Sequence, residues 1–267
     1  MGKLLIPAQR RKRIRDYLKI HHIVRIADLS QKLDTSEATI RRDLERLEKQ
    51  GFLERTHGGA IRSQRINLEQ DYAQRANRSP DEKRRIGAMA AKMIENGDIV
   101  FINSGTTTTE IIRHIPANLN ITVITNNLIA ALDMRTSDFE LILLGGAFQP
   151  VSNSVAGGFA LKNLGNIYAD KTFIGVDGIS LKYGYTFPTS PEAEVVNRMM
   201  ERTRGMIIAV ADHTKWGMVS NFEVARIDQI DRLITDDGFD PSAMDALADQ
   251  SVDVFIASSI SSSEDKE

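Results

Sequence analysis

Cysteine is absent from the 267 residues, and with it any disulfide or thiolate metal site. The five histidines, His21, His22, His57, His114 and His213, show no zinc-ligand spacing. No apolar run approaches the ~20 residues that a membrane span needs. The opening stretch MGKLLIPAQRRKR has too short an apolar core for a secretory signal. These absences predict a cytoplasmic protein with no structural metal, no cofactor and no membrane partner. What remains is ordinary for a globular chain, with 42% hydrophobic and 26% charged residues. The length accommodates a small domain and a larger one.

A net charge of −2 conceals an asymmetry. Residues 1–65 hold 16 basic and 8 acidic side chains, a balance of +8; the remainder holds 18 and 28, a balance of −10. A basic module joined to an acidic one implies a polyanionic partner for the first alone. A chance cluster of solvated charges would look the same from composition.

Three short helical patterns occupy the basic part. Ile14, Tyr17 and Leu18 share one helical face, as do Ile26, Leu29 and Leu33, and then Ile40, Leu44 and Leu47. Asp34-Thr35-Ser36 forms a tight connection with N-cap chemistry between the second and third. A helix followed by two helices joined so closely is a helix-turn-helix. Gly51 ends the third helix, and residues 52–55 with 57–61 read as a hairpin wing. With Ile40, Leu44 and Leu47 inward, ~100° per residue places Thr35, Ala38, Thr39, Arg42 and Arg46 outward, with Arg41 on the flank. Arginine can grip guanine through two bonds, and a Thr or Ala methyl can touch the thymine methyl. Arg41, Arg46, Arg55 and His57 suit phosphate contacts, which position without specifying. An isolated Arg pair is more often a solvated helix face; its place after a helix-turn signature favours DNA.

Residues 62–78 are polar and aperiodic and read as a linker. Ser79 as N-cap, Pro80 at the first helical position and Glu82 predict a capped helix start with a capping box. Ile86, Met89, Ala90, Met93 and Ile94 form its buried stripe, and Gly97 its end. Apolar runs then recur at 99–102, 121–124, 141–144, 172–176, 206–210, 233–234 and 252–256. Such runs predict parallel strands buried on both faces, in an open, mainly parallel α/β sheet covered by helices. Polar and glycine residues follow the strands: Asn103-Ser104-Gly105-Thr106-Thr107, Asn126, Gly145-Gly146, Asp177-Gly178 and Asp212. Open α/β sheets bind ligands outside their carboxyl edge. Residues 104–108 are the best phosphate cradle, since a glycine admits close approach and the next helix offers free N–H groups. The loop is not a Walker A sequence, because its Gly-Lys-Ser/Thr is missing.

The stretch from Arg10 to Ala60 resembles the DNA-binding segment of the DeoR/GlpR-type transcription regulators. The residues that carry the likeness are Ser36-Glu37-Ala38-Thr39-Ile40-Arg41-Arg42-Asp43-Leu44, Leu47-Glu48, Gly51 and Arg55-Thr56-His57-Gly58-Gly59-Ala60. The second domain is similar to the sensor of those regulators, which is akin to sugar-phosphate isomerases and CoA transferases. It matches at residues 103–108, 125–126, 145–146, 171–178, 192–195 and 211–217. The resemblance implies that Ser104, Gly105, Thr106 and Thr107 hold a phosphate. Asp177, Glu192 and Lys215 would line the rest of the site, with Lys171 nearby and Asn103, Asn126, Gly145 and Gly146 along the same edge. Lys171 has an equally good structural reading, pairing with Asp170 or covering a sheet edge. Trp216 packs over the pocket or fills a gap between helices. Asn103 departs from the Asp of many relatives, and Val196 and Asn197 from the basic residues often found there.

The expected architecture is a winged helix-turn-helix at 1–61, a linker at 62–78, an effector-sensing α/β domain at 79–257 and a disordered tail at 258–267. The expected partners are double-stranded operator DNA, a small phosphorylated metabolite and further copies of the chain as a dimer or tetramer. Two other readings are a sugar-phosphate isomerase with a DNA-binding head and an architectural protein whose second domain only dimerises. The first needs a general base, which Asn103 cannot be. The second leaves the polar strand ends without a purpose.

Overall fold

The computed structural model describes residues 6–21, 23–56, 58–62, 64–65, 71–134 and 139–259. The basic region forms α1 (Pro7–His21), β1 (Ile23–Arg25), α2 (Ile26–Lys32), α3 (Glu37–Lys49), β2 (Leu53–Arg55) and β3 (Gly59–Arg62). The strands make an antiparallel sheet in the order β1-β3-β2. The three predicted helical faces meet in one core holding Ile14, Leu18, Leu29, Ile40, Leu44, Leu47 and Leu53. Burying each such side chain is worth ~1.5–3 kcal/mol. Leu33 lies at its margin as the C-cap of α2. The turn before α3 passes through Asp34 at φ 47°, a left-handed conformation that Asp tolerates better than bulkier residues. The sheet has one strand more than the expected hairpin. Three residues between two helices carry no periodic signal, and β1 exists because Gly59 lets β3 approach it. A Cβ at Gly59 would lie 1.9 Å from the Val24 carbonyl oxygen.

The stretch read as an aperiodic linker contains structure. β4 (Gln64–Arg65) pairs in parallel with a strand of the second domain, and α4 (Tyr72–Ala76) is a short helix. Next comes α5 (Pro80–Ala91), with Pro80 in its first turn as predicted. The predicted capping box is not formed. Ser79 adopts φ 48°, ψ 49° and its hydroxyl accepts no cap bond. The helix end is instead secured by the Lys83 amide bonding to the Ser79 carbonyl. The helix also stops at Ala91 rather than running to Gly97.

The remainder follows as β5 (Ile99–Ile102), α6 (Thr106–His114), β6 (Thr122–Thr125), α7 (Leu128–Asp133), β7 (Glu140–Leu143), β8 (Ala147–Gln149), β9 (Ser154–Ala156), α8 (Gly158–Leu164) and β10 (Ala169–Gly175). Then come β11 (Gly178–Ser180), β12 (Gly184–Phe187), α9 (Ser190–Glu201), β13 (Thr203–Val210), β14 (Met218–Val219), β15 (Phe222–Ala225), β16 (Arg232–Asp236), α10 (Pro241–Ala248) and β17 (Asp253–Ala257).

All seven predicted apolar runs fall in one seven-stranded sheet, ordered β17-β16-β13-β10-β5-β6-β7, with every pairing parallel. Successive residues feed opposite faces. Val100 and Ile102 pack with Ile86 and Ala90 of α5 and Ile111 and Ile112 of α6. Phe101 faces Leu164 of α8 and Val195 and Met199 of α9. The chain leaves β5 towards β6 and β7, then returns to β10 on the other side and continues outward to β17. The reversal between β5 and β10 is a topological switch point, the place where an open parallel sheet leaves a crevice at its carboxyl edge.

The two regions touch. Ile61 of β3 lies in the core with Ile174, Ile179, Tyr185 and Trp216. The hydroxyl of Ser180 on β11 donates to the carboxylate of Glu54 on β2 at 2.8 Å.

Candidate DNA-binding face and effector site

Helix α3 begins with Ser36, whose hydroxyl accepts the Thr39 amide at 3.3 Å. This satisfies one of the N–H groups that a helix start leaves open. Ser36, Ala38, Arg41, Arg42 and Arg46 are exposed, and Thr35 and Thr39 half-buried. The cations divide into two sets. Arg41 pairs with Glu37 at 3.1 Å and Arg55 with Glu48 at 2.8 Å. Arg42 and Arg46 have no ion pair among the described residues. His57 lies outside the described residues. Sequence reasoning missed Asp43, which falls beside Leu44 on the inward face. It is buried and takes Arg10 and Arg11 of α1, fixing α1 against α3. A carboxylate on an otherwise apolar face was the available signal.

At the switch point the loop after β5 turns into α6. Asn126, after β6, shapes it by accepting the Ser104 amide at 2.7 Å and donating to the Val155 carbonyl at 3.0 Å. The hydroxyls of Thr108 and Thr109 donate back to the Gly105 carbonyl. Gly105 caps α6 with an extended backbone, φ 165° and ψ 160°. Ser104, Thr106 and Thr107 therefore stand at the start of α6, where free N–H groups and the positive end of the helix dipole favour an anion. At the same edge Asp177 follows β10, and Lys215 reaches its carboxylate at 3.4 Å. The structure brings these six residues, 104–107, 177 and 215, to one edge.

The other predicted residues have different surroundings. Asn103 is buried, and its amide is spent joining β5 to β10. It donates to the Gly175 carbonyl at 3.0 Å and accepts the Gly175 amide at 2.8 Å. Gly145 and Gly146 follow β7, the rim strand; a Cβ on Gly146 would lie 2.6 Å from the Ala156 carbonyl oxygen, so packing alone requires glycine there. Glu192 is buried in the first turn of α9, where it accepts from the Thr189 hydroxyl at 2.9 Å. Lys171 is not brought to the site. It enters β10 beside Val100, and four residues at ~3.3 Å each put it about 13 Å back from the Gly175 end. There its ammonium is buried against Asp98 at 2.8 Å, with Glu95 at 3.5 Å, and its partner is not Asp170. Trp216 fills the core beside Phe239, with which it stacks edge-on.

Sequence reasoning also missed what the connector contributes. Arg75 of α4 lies 3.6 Å from Asp177, and the Tyr72 hydroxyl lies 2.8 Å from Thr109 of α6. Lys83 is buried beneath, donating to the carbonyls of Arg75 and Arg78. Burial lowers its pKa to about 8. His213, beside the edge, has its pKa raised by the bond of its Nδ1 to Asp236 at 2.7 Å. A separate cavity of about 550 Å³ lies between the wing and the β11–β12 hairpin, lined by Glu48, Glu54, Arg55, Lys182 and Tyr183. It has none of the strand-end chemistry. Among the described residues no cluster of three or more His, Asp or Glu could hold a metal, and no helix is long and apolar enough to cross a membrane.

A helix-turn-helix with an open outer face, joined to a parallel sheet with a polar switch point, defines a DNA-binding regulator with a sensor domain. The sequence matches the DeoR-like helix-turn-helix domain over residues 10–65 and the DeoR C terminal sensor domain over residues 78–237. The chain belongs to the DeoR family of helix-turn-helix transcriptional regulators, whose members are regulators rather than enzymes. It is 33% identical over 251 residues to the HTH-type transcriptional regulator YulB of Bacillus subtilis, covering 94% of this chain and 96% of that one. It is 35% identical to the HTH-type transcriptional repressor GlcR of the same organism, covering 84% and 86%. Ribose 5-phosphate isomerase A of Methanocaldococcus jannaschii aligns with 51% of this chain and 54% of its own, at 14% identity and a TM-score of 0.38, too distant to bear on function.

Proposed function

We propose that the protein is a cytoplasmic repressor of a sugar or polyol catabolic operon, released from its operator by a small phosphorylated metabolite. The observation that carries this reading is the pairing of two surfaces in one chain. Arg42 and Arg46 have no ion pair on α3 among the described residues, and residues 104–107 and Lys215 follow β5 and β13 at the same edge of the parallel sheet. The first surface suits the major groove and its phosphates. The second suits an anion, with Asp177 available to accept from sugar hydroxyls. The name of GlcR, a repressor, is in keeping with this sign of regulation.

A route between the surfaces supports the reading. Asp177 immediately precedes β11, and Ser180 of β11 holds Glu54 of the wing. On the other side, the Gly217 amide, two residues beyond Lys215, bonds to the Ile179 carbonyl at 2.8 Å. A ligand that draws Asp177 and Lys215 together would shift β11 and with it the wing. Linkage requires only that it bind the two arrangements with different affinity. Helix-turn-helix proteins read paired half-sites, so the working form is a dimer or a higher even oligomer.

The test is a thermal-shift screen of the full chain against sugar phosphates, polyol phosphates and sugar acids. A ligand at 100 times its Kd adds ~2.7 kcal/mol to stability, a visible shift. The ligand found should weaken operator binding in a mobility-shift assay. Lys215→Ala should lose the ligand shift and keep DNA binding. A screen without a hit would remove the sensor reading and leave the DNA-binding one standing.

A further inference from the structure

The connector helix α4 contributes a cation whose bonding is unfinished. Arg75 has a side chain only 14% exposed, yet its nearest carboxylate, Asp177, is 3.6 Å away. Charge-assisted N–H···O bonds run ~2.7–2.9 Å, so this is proximity without a bond. Its Nε is buried with no hydrogen-bond partner among the described residues. Leaving such a donor unmet is costly in a folded protein. Asp177 is also shared, since Lys215 approaches the same oxygen at 3.4 Å. One carboxylate thus stands between two cations, bonding Lys215 through a long contact and leaving Arg75 without a bond.

The position of Arg75 is enforced. The Tyr72 amide bonds to the Val151 carbonyl at 2.9 Å. Thr109 gives its only proton to the Gly105 carbonyl, so the Tyr72 hydroxyl donates to Thr109, one turn along α6 from the cradle. Lys83 seizes the Arg75 and Arg78 carbonyls from below. The helix is held at both ends with its guanidinium at the switch point. Burial, with Lys215 and Arg75 repelling it and Asp212 opposing them, lowers the Lys83 pKa to about 8.

We infer that Arg75 is a ligand-contact residue of the sensor: its guanidinium leaves Asp177 and takes the anionic group of the metabolite, which is gripped from the connector as well as from the sheet. The inference rests on the proposal above that this edge binds an anion. The planar fork of arginine offers two parallel bonds to a phosphate, and Lys215 adds a point charge from the opposite side. Because α4 lies in the segment joining the two domains, a ligand held by Arg75 pulls on the chain that leads to the DNA-binding module.

The experiment titrates the full chain with inorganic phosphate at constant ionic strength, with chloride as the control anion. The readout is the fluorescence of Trp216, the single tryptophan and the neighbour of Lys215. Arg75→Gln is expected to weaken phosphate at least tenfold, while its thermal midpoint in chloride stays level or rises because a buried unmet donor is gone. Arg75→Lys, which keeps the charge and loses the fork, should weaken it several-fold. Undiminished phosphate affinity in Arg75→Gln, alongside a loss in Lys215→Ala, would overturn the inference and leave the anion site intact. No saturable phosphate response in the wild-type chain would overturn both. Should Arg75→Gln fail to fold, Arg75→Lys decides: an affinity within a factor of two of wild type makes Arg75 a structural strap.

Discussion

On α3 Arg42 and Arg46 are exposed and form no ion pair among the described residues, whereas at the sensor's edge Arg75, Lys83 and Lys215 already face acceptors of their own chain. The contrast follows from what each surface is proposed to meet. A polyanion as highly charged as DNA gains affinity by releasing counterions, so its receptor can leave cations hydrated and waiting. A small anion releases few counterions. Its receptor must hold several cations together before the ligand arrives, and an internal carboxylate keeps them from repelling one another. Binding at the first surface is addition; at the second it is exchange.

The comparison can be broken most severely on α3. Arg42→Ala should cost ~1–3 kcal/mol of operator affinity and relax base preference if its contact is bidentate. Arg46→Ala should weaken all sequences evenly and lower the salt slope by about one. Mobility shifts across a salt series separate the two, and unchanged affinity in both would dissolve the distinction between free and paired cations. At the sensor edge the sign reverses. Asp177→Asn removes the internal anion, so inorganic phosphate should bind about 5–10-fold more tightly, within the range of a single charge interaction near a surface. Weaker binding would mean that Asp177 orders the cations rather than competing for them.

A smaller effect concerns the contact between the regions. Burial raises the pKa of Glu54 above its ordinary 4.5. The folded protein therefore holds this proton more tightly than the unfolded chain, and stability is lost as pH rises from about 4.5 through the folded value. Glu54→Gln keeps a carbonyl to accept from Ser180 and cannot ionise. Its thermal midpoint should match wild type at acid pH and equal or exceed it at pH 7; a variant less stable at pH 7 would show that the ionised carboxylate is needed. Smallest of all, Arg41→Ala removes an exposed i,i+4 pair worth ~0.3–0.5 kcal/mol, and operator affinity should fall by less than the Arg42 variant loses.

How much of this was legible in the sequence depended on how far apart the partners lie. A parallel strand covered on both faces is an unbroken apolar run, a local signal, and all seven sheet strands were read from it. The core of the first domain was read likewise from helical spacing. The strands β1 and β4 and the helix α4 exist through tertiary contacts. None of the residues of α4 is fully buried, and what fixes it is Tyr72 against Thr109 and Arg75 beside Asp177. At the site, residues 104–107 and Asp177 announced themselves by following strands, and Lys215 came from the family resemblance alone. Asn103 follows a strand too, but its partner Gly175 is 72 residues away. Lys171 could be read as near the site because it precedes Asp177 closely in sequence, yet it stands at the far end of its strand. Position along a strand, which decides which edge a side chain serves, is invisible until the strand's start is known.

The docking of α4 has a consequence for recombining such regulators. A chimaera that joins one DNA-binding module to another sensor is most naturally cut at the visible helix start, Ser79-Pro80. Such a junction would deliver the recipient sheet with a foreign Tyr72 and Arg75, and so with part of a recognition surface built for another metabolite. If Arg75 grips the metabolite as proposed, the functional inheritance unit on the sensor side begins no later than Asp71, and grafts made upstream of it should carry their own specificity intact.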